Sequence, residues 1–269
     1  MSRPGGDPAG PLGGKRALVC GSTQGIGRAC AFEFARLGAR LTLLARDEGR
    51  LRAVSDEIAR LGGPVPDVLR ADFSEPETVR AVVAEHVGAT GPIEILLNNT
   101  GGPPGGPIAA AAPDAFRSAF TAHLICNQLL AQTLIPGMRQ RGFGRIINIV
   151  STSVRQPIEG LGVSNTVRAA VSGWAKTLAG ELASHGITVN NVLPGATATE
   201  RLRSLIQAKA RAAGLTDEDV ERRMKAEIPL GRFASPEEIA AAAGFLATPA
   251  ASYITGISLP VDGGRIACL

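Results

Sequence analysis

Residues 17–27 read Ala17-Leu18-Val19-Cys20-Gly21-Ser22-Thr23-Gln24-Gly25-Ile26-Gly27, an apolar run of strand length that passes into a glycine-rich loop. A helical pattern follows, with its apolar side chains on one stripe and Gly38 as its stop. Glycines allow a tight turn and a close approach of backbone to a ligand, and a helix start offers free N–H groups to phosphate. Strand, glycine loop and helix in this order predict a dinucleotide site, with a plain strand-to-helix turn as the alternative.

The same alternation of strand and helix continues along the chain. Nearly all-apolar strands are predicted at 40–45, 65–71, 93–97, 145–150 and 188–193, and helical patterns separate them. Strands of this kind are typical of a parallel sheet that helices cover on both faces. With 269 residues and no internal repeat, the chain fits one large α/β domain.

Composition and charge exclude several classes of protein. The net charge is +4, but the basic residues are spread out, so we expect no nucleic-acid-binding arm, and a mild positive charge suits a polyanionic cofactor. No apolar stretch approaches the ~20 residues of a membrane span, so we expect no membrane partner. The four cysteines lie far apart without a C-x-x-C pair, which favours reduced thiols in a cytoplasm over a disulfide framework or a metal site.

The first residues differ in composition from the rest. Residues 1–14 are rich in glycine and proline and lack the apolar core of a secretion signal. We therefore expect a flexible tail at 1–14, followed by a single domain at 15–269.

The second strand ends at Arg46-Asp47, about 20 residues beyond the glycine loop. An acid in this region holds the ribose hydroxyls of NAD, whereas an arginine accommodates the 2′-phosphate of NADP. Arg46 therefore favours NADP(H). Asp47 is adjacent and could reverse the preference, and a solvated loop cation is the alternative interpretation of Arg46.

Further motifs follow in a characteristic order. They are Asp72, Asn98-Asn99-Thr100-Gly101, Ser151 at a strand end, Pro194-Gly195, the run 228–232 and the ending 261–264. Together with the glycine loop, they resemble the short-chain dehydrogenase/reductase family, above all its 3-oxoacyl-carrier-protein-reductase-type members, over residues 15–264. The resemblance implies a single-domain, Rossmann-like, doubly wound parallel sheet of about seven strands. It also implies a homotetramer or homodimer.

The resemblance also implies roles for individual residues. Gly21, Ser22, Thr23, Gln24, Gly25, Ile26 and Gly27 would cradle the pyrophosphate, and Arg46 would meet the adenosine ribose. Asp72 and Phe73 would flank the adenine, while Asn99 and Gly101 would line the ribose. Pro194, Gly195, Thr197 and Thr199 would lie against the nicotinamide. Residues 200–227 would form a helical lid, whose apolar positions Leu202, Leu205, Ile206 and Met224 suggest a partly apolar small-molecule substrate or ordinary helix packing.

The catalytic positions depart from the family pattern. The family uses a strand-end Ser, a Tyr-x-x-x-Lys on the next helix and an Asn on the helix before. Here Ser151 is kept, while Ser164 stands for the tyrosine, Arg168 for the lysine and His123 for the asparagine. A serine hydroxyl is a much poorer acid than a phenol, and an arginine keeps its proton.

These changes leave the proton donor open. His123 titrates near neutral pH and could replace the acid, or it could be a helix histidine that hydrogen-bonds a strand carbonyl. Ser151 could hold a substrate carbonyl or cap the strand end. We expect Arg168 to line both the cofactor site and the catalytic site, and the proton to come from His123, a water or Ser164.

The function predicted is an NADP(H)-dependent oxidoreductase that acts on a carbonyl/alcohol pair with a non-standard active site. Two alternatives keep the same fold. One is a non-redox isomerase, lyase or cyclase that uses the oxyanion-binding pocket. The other is a nucleotide-binding regulatory subunit with little turnover.

Overall fold

The structure, a computed structural model, describes residues 10–268. One parallel sheet of seven strands has the order β3-β2-β1-β4-β5-β6-β7. Its strands are β1 (Arg16–Cys20), β2 (Arg40–Ala45), β3 (Asp67–Arg70), β4 (Ile95–Asn98), β5 (Gly144–Ile149), β6 (Ile187–Pro194) and β7 (Ser258–Val261). This confirms the predicted doubly wound sheet, with strand ends that differ from the sequence pattern by one or two residues.

Helices lie on both faces of the sheet. They are α1 (Gly25–Arg36), α2 (Glu48–Arg60), α3 (Pro76–Thr90), α4 (Pro113–Phe120), α5 (Cys126–Arg141), α6 (Gly162–Leu182), α7 (Glu200–Ala213), α8 (Asp217–Ala226) and α9 (Pro236–Ala247). One core packs α1, α2 and α9 against the sheet, and the opposite core packs α3, α5 and α6. None of the helices within residues 10–268 is long and apolar enough to span a membrane.

Strand β1 shows why its sequence is apolar throughout. Ala17 and Val19 belong to one core, while Leu18 and Cys20 belong to the other, and all four are 0% exposed. Successive side chains of a strand point to opposite faces, so a strand covered on both faces has no solvent-facing side that favours polar residues. The continuous apolar run is therefore a consequence of the two helical layers.

The helical segment between β4 and β5, one of those predicted between the strands, is interrupted. A π-helical turn at Thr121–Ile125 separates α4 from α5 and carries His123. Such a turn inserts one residue into an α-helix, a change too small for apolar periodicity to reveal. The turn rotates the residues before it relative to those after it, so it affects which helix side chains face the sheet.

The expected flexible tail is wrong for its last residues, while residues 1–9 lie outside the described part. Residues 10–14 form a turn, and Leu12 is fully buried against the core around α1. The Leu12 N–H also donates to the Leu37 carbonyl at 2.8 Å. A single leucine among glycines and prolines did not stand out in the composition, although its burial attaches this segment to the domain.

A ladder of three buried asparagine amides and the Ser258 hydroxyl crosses four strands of the sheet. Asn98 Nδ2 donates to Asn148 Oδ1 at 2.9 Å, and Asn148 Nδ2 donates to Asn191 Oδ1 at 2.9 Å. Asn191 Nδ2 then donates to Ser258 Oγ at 3.1 Å. These residues are also register partners on β4, β5, β6 and β7. The ladder therefore fixes the alignment of the strands that end at the predicted site.

Asn148→Ala should destabilise the protein by roughly 2–5 kcal/mol, because it leaves buried polar atoms of Asn98 and Asn191 without their partners. The free energy of unfolding in urea, followed through the fluorescence of Trp174, measures the effect. Gln132→Ala, at an exposed position of α5, is the control. A loss below about 0.5 kcal/mol for Asn148→Ala would show that the ladder carries little stability.

Candidate active site

The glycine loop is built by a close contact between the end of β1 and the start of α1. A Cβ on Gly27 would lie 2.1 Å from the carbonyl oxygen of Gly21, so no larger residue fits there. Gly21 and Gly25 have φ values of 59° and 52°, in the left-handed region that favours glycine. Asn99 Nδ2 lies within 3.3 Å of the Cys20 and Gly21 carbonyls and donates to them. Backbone packing therefore holds the loop in one shape.

The start of α1 is open to a ligand. Its N-cap residue, Gln24, makes no capping hydrogen bond with its side chain, and the first turn carries no acidic residue. The first N–H groups of a helix have no partner inside the helix, and they favour an anion. These features fit a phosphate group of a dinucleotide.

Most of the predicted site residues line one cavity of ≈ 1050 Å³. The cavity lies at the carboxyl ends of the central strands. Predicted residues that line it are Gly21, Thr23, Gln24, Gly25, Ile26, Arg46, Asp72, Phe73, Asn99, Gly101, Ser151, Ser164, Arg168, Pro194, Gly195, Thr197 and Thr199. A crossover between parallel strands brings segments that are far apart in sequence to this one edge.

Three predicted residues do not line the cavity. Ser22 is 0% exposed, and Gly27 is packed against the backbone of the glycine loop. His123 is 3% exposed, and it lies behind the cavity wall. The motif spacing placed these residues in the site, but packing gives Ser22 and Gly27 a supporting position instead of a lining one.

The role of Asp47 is clear in the structure. Its carboxylate caps α2, because it accepts the N–H of Arg50 at 3.0 Å, and it lies 3.4 Å from Arg50 Nε. Arg46 is exposed on the cavity side. Hydrogen bonds from Ser74 and, to a lesser extent, the nearby Arg46 lower the pKa of Asp72. At the end of the cavity around β2 and β3, the positive Arg46 therefore lies next to Asp47, whose carboxylate is already bound to Arg50.

Ser151 and Arg168 meet at the end of β5. The backbone N–H of Ser153 donates to Ser151 Oγ at 3.1 Å, so the Ser151 hydroxyl proton remains available. Arg168 Nη1 donates to the Ile149 carbonyl at 2.7 Å. Burial lowers the pKa of Arg168 to about 10, and the charge of Arg201 adds to this effect. Arg168 is therefore a cation at neutral pH, anchored beside a free hydroxyl.

Ser164 completes this part of the cavity. It stands one helical turn before Arg168 on α6, so the two side chains share a face of the helix. The Ser164 hydroxyl lies much closer to the helix backbone than the phenol hydroxyl of a tyrosine would, so it extends less far into the cavity. A small hydroxyl and an arginine therefore lie next to each other on the cavity side of α6.

Burial and a lowered pKa argue against the predicted role of His123 as a proton donor near neutral pH. Burial, with a further contribution from the charge of Arg168, lowers the pKa of His123 to about 2. A hydrogen bond to the backbone of Gly101 opposes this shift only partly. His123 is therefore a neutral imidazole, and its backbone partner Gly101 lies in the loop after β4, whereas the alternative prediction placed that partner in a strand.

The lid consists of α7 and α8. Leu202, Ile206, Ala210 and Val220 form its own apolar cluster. Leu202, Leu205 and Met224 line the cavity, and Met224 also packs against this cluster. The apolar lid positions therefore combine helix packing with cavity lining, and Leu202 and Met224 do both.

The cavity wall contains several basic residues that were not predicted from the sequence. They are Arg50, Arg117, Arg201, Lys209 and Arg265. The spacing of Arg201, Leu205 and Lys209 could have revealed three of the lining residues, since positions four apart share a helix face. The other arginines come from separate segments, and no local pattern connects them.

The sequence matches, over residues 21–265, the sequence model of the family described as enoyl-(acyl carrier protein) reductase. It is 33% identical over 253 residues to the 3-oxoacyl-[acyl-carrier-protein] reductase FabG of Vibrio harveyi, covering 94% of this chain and 98% of that protein. The chain belongs to the short-chain dehydrogenase/reductase family. It is accordingly an NAD(P)-dependent oxidoreductase by class, as predicted.

Two more relatives show how widely the likeness extends. The 7alpha-hydroxysteroid dehydrogenase of Escherichia coli K12 is 32% identical over 256 residues, which is 95% of each protein. The structure of L-sorbose reductase from Gluconobacter frateurii, complexed with NADPH and L-sorbose, has a TM-score of 0.91 and 33% identity. That match covers 98% of this chain and 100% of the reductase chain. Relatives of one fold therefore act on chemically different substrates.

The buried neutral state of His123 makes the protein sensitive to acid. Below pH ~6.5 the unfolded chain takes up a proton at this residue, while the folded protein does not until about pH 2. The free energy of unfolding should therefore decrease as the pH is lowered below ~6.5. This group contributes up to about 1.4 kcal/mol per pH unit to the decrease. His123→Asn should flatten the curve of unfolding free energy against pH between pH ~6.5 and ~4.

Urea unfolding at several pH values measures this slope. His185→Asn, at an exposed position, is the matched control. Parallel curves for the wild type and His123→Asn would contradict a neutral His123 in the folded protein.

Proposed function

We propose that this enzyme is an NADP(H)-dependent reductase or dehydrogenase of a carbonyl/alcohol pair, with Ser151, Ser164 and Arg168 in place of the family's usual catalytic set. The observation that carries the proposal is the fixed position of Arg168. Its guanidinium is tied to the end of β5 at 2.7 Å, inside the cavity that also contains Ser151 and the strip from Pro194 to Thr197.

The residues of this chain bind and polarise the substrate oxygen. When bound, NADPH supplies a hydride to the carbonyl carbon. Ser151 Oγ accepts the Ser153 N–H, and its own hydroxyl proton remains available. This proton is therefore donated in a hydrogen bond to the carbonyl oxygen of the substrate. The positive charge of Arg168 stabilises the negative charge that develops on that oxygen. Preorganised donors of this kind need no rearrangement during the reaction.

The proton that completes the alcohol comes from water. Arg168 keeps its proton at neutral pH, and a serine hydroxyl is too weak an acid to replace a tyrosine. His123 is neutral and lies outside the cavity. Ser164 passes its hydroxyl proton to the new alkoxide and regains one from a neighbouring water molecule, which the bulk solvent reprotonates in turn.

The preference for NADP(H) is supported by the charges around β2. Arg46 and Arg50 both line the cavity, and the carboxylate of Asp47 is engaged at the start of α2. A free carboxylate would favour the ribose hydroxyls of NAD, whereas exposed arginines favour a 2′-phosphate. L-sorbose reductase, a structural relative, is complexed with NADPH.

The substrate is a small molecule in this proposal, and the likeness to a hydroxysteroid dehydrogenase and to L-sorbose reductase supports this. A non-redox reaction and a regulatory role gain no support from the relatives. The homotetramer or homodimer and the cytoplasmic location stay predictions.

Arg168→Gln should lower kcat/KM for carbonyl reduction by about 100-fold, the effect of removing one donor to a developing oxyanion. The absorbance of NADPH, measured with a panel of ketones and oxo acids, provides the assay. Arg40→Gln, at an exposed position at the opposite end of the sheet, is the control. NADPH that binds but is never oxidised by any carbonyl would overturn the proposal.

Arg46→Ala should weaken NADPH binding by roughly 10- to 100-fold, since a hydrogen bond between charged groups is worth about 1.5–3 kcal/mol. NADH binding should change little, because NADH lacks the 2′-phosphate. Fluorescence titration of each nucleotide measures both constants. Arg52→Ala, in an exposed pair with Glu48 outside the cavity, is the control. Equal losses for NADPH and NADH would show that Arg46 does not select the phosphate.

A further inference from the structure

Two guanidinium groups converge over Gly102, in the loop that follows β4. A Cβ on Gly102 would lie 3.7 Å from Arg201 Nη2 and 3.9 Å from Arg168 Nη2. Arg168 comes from α6, and Arg201 comes from the first turn of the lid helix α7. Two cations on different elements thus reach the same point of the cavity wall.

Neither cation is neutralised by an acid within residues 10–268. Arg168 donates to the Ile149 carbonyl, and Arg201 Nη2 donates to the Pro103 carbonyl at 2.5 Å. The neighbouring acid on α7, Glu200, pairs with Arg203 at 3.1 Å. The charge of Arg201 is one of the causes that lower the pKa of Arg168, so the two groups repel each other.

Two further cations of the cavity wall are already paired. Arg117 lies 2.5 Å from Asp114, and Arg265 lies 2.7 Å from Glu227. Arg168 and Arg201, by contrast, bring two cations without an acidic partner among the described residues to one point of the wall. Carboxylates bind arginine well because the fork of N–H donors matches their two oxygens, and Arg201 has donors left beside the one given to Pro103.

We propose that Arg201 binds a carboxylate of the substrate, next to the carbonyl whose oxygen Arg168 holds, so that the substrate is a 2-oxo acid. This rests on the proposed function for the role of Arg168. The closeness of the two guanidinium groups at Gly102 matches the adjacent oxygens of a carbonyl and a carboxylate in such an acid. An anion between them also relieves their mutual repulsion.

The rest of this acid is an apolar chain. Leu205 lies one turn after Arg201 on α7, and its Cδ2 would be 3.8 Å from a Cβ on Gly105. Leu161 Cδ2, from the loop before α6, would be 3.5 Å from the same Cβ. Leu205 and Leu161 both line the cavity, and Met224 of α8 extends the apolar wall. The substrate chain therefore runs beneath the lid, away from the carboxylate.

The cofactor's own phosphates have a separate place. The glycine loop and the free start of α1 provide it, and Thr199 Cγ2 closes it, 3.2 Å from where a Cβ on Gly25 would lie. Arg201 reaches instead toward Gly102 and Arg168. Measuring nucleotide and carboxylate binding separately distinguishes these two roles.

Oxamate, an unreactive analogue of a 2-oxo acid, is the probe for the first experiment. Calorimetric titration of oxamate into the NADPH-loaded protein should give a dissociation constant that Arg201→Gln raises by about 10- to 100-fold, with NADPH affinity unchanged. Arg211→Gln, on the exposed face at the end of the same helix, should leave both constants as in the wild type. Thermal unfolding of each variant confirms that the fold is kept.

The second experiment compares 2-oxohexanoate with its methyl ester as substrates. The wild type should prefer the free acid in kcat/KM by at least about 10-fold, and Arg201→Gln should lose this preference. Oxamate that fails to bind the wild type, or an ester reduced as well as the acid, would overturn the inference. So would a loss of NADPH affinity in Arg201→Gln as large as the loss for oxamate.

The two proposals fail in different ways. If no carbonyl compound oxidises NADPH while oxamate binding still depends on Arg201, the reductase proposal is wrong and the anion site stands. If ketones are reduced while oxamate is ignored, the reductase proposal stands and the assignment of Arg201 is wrong.

Discussion

The amide ladder across β4–β7 is the constraint on which the site depends. Each amide donates to the next strand, and a slip of one residue in any pair would turn the amide to the opposite face of the sheet. The ladder lies immediately before the strand ends that deliver Asn99, Ser151 and Pro194. Because buried amides are costly without partners, one register of these strands is strongly favoured over the others.

Close packing of backbone against backbone then shapes the cofactor end. Gly27 touches the Gly21 carbonyl, and the Asn99 side chain ties the glycine loop to the end of β4. The loop thus has its shape before any ligand arrives, which reduces the entropy that binding must remove. The same contact explains why Gly27 is essential to the motif without lining the cavity.

In the proposed reaction, the part of the cavity lined by Ser151, Ser164 and Arg168 acts through charge and hydrogen-bond donors. Arg168, Ser164 and Ser151, whose hydroxyl proton is free, line this part of the cavity. The buried histidine behind them contributes no charge, because a cation next to Arg168 would be costly in a desolvated place. The cavity therefore strengthens the binding of negative charge, and in the proposed reaction water supplies the proton. This arrangement is consistent with an oxidoreductase whose substrate carries a negatively charged group.

The sequence by itself determined the fold, the glycine loop, the family and most of the cavity-lining residues, because all of these depend on local periodicity and on motifs of fixed spacing. It also predicted, at Ser164 and Arg168, departures from the catalytic pattern of the family. Only the tertiary structure decided the protonation of His123, the capping role of Asp47 and the meeting of Arg168 with Arg201. The physical reason is that pKa values, ion pairs and charge clusters depend on burial and on neighbours distant in sequence, which no local pattern records.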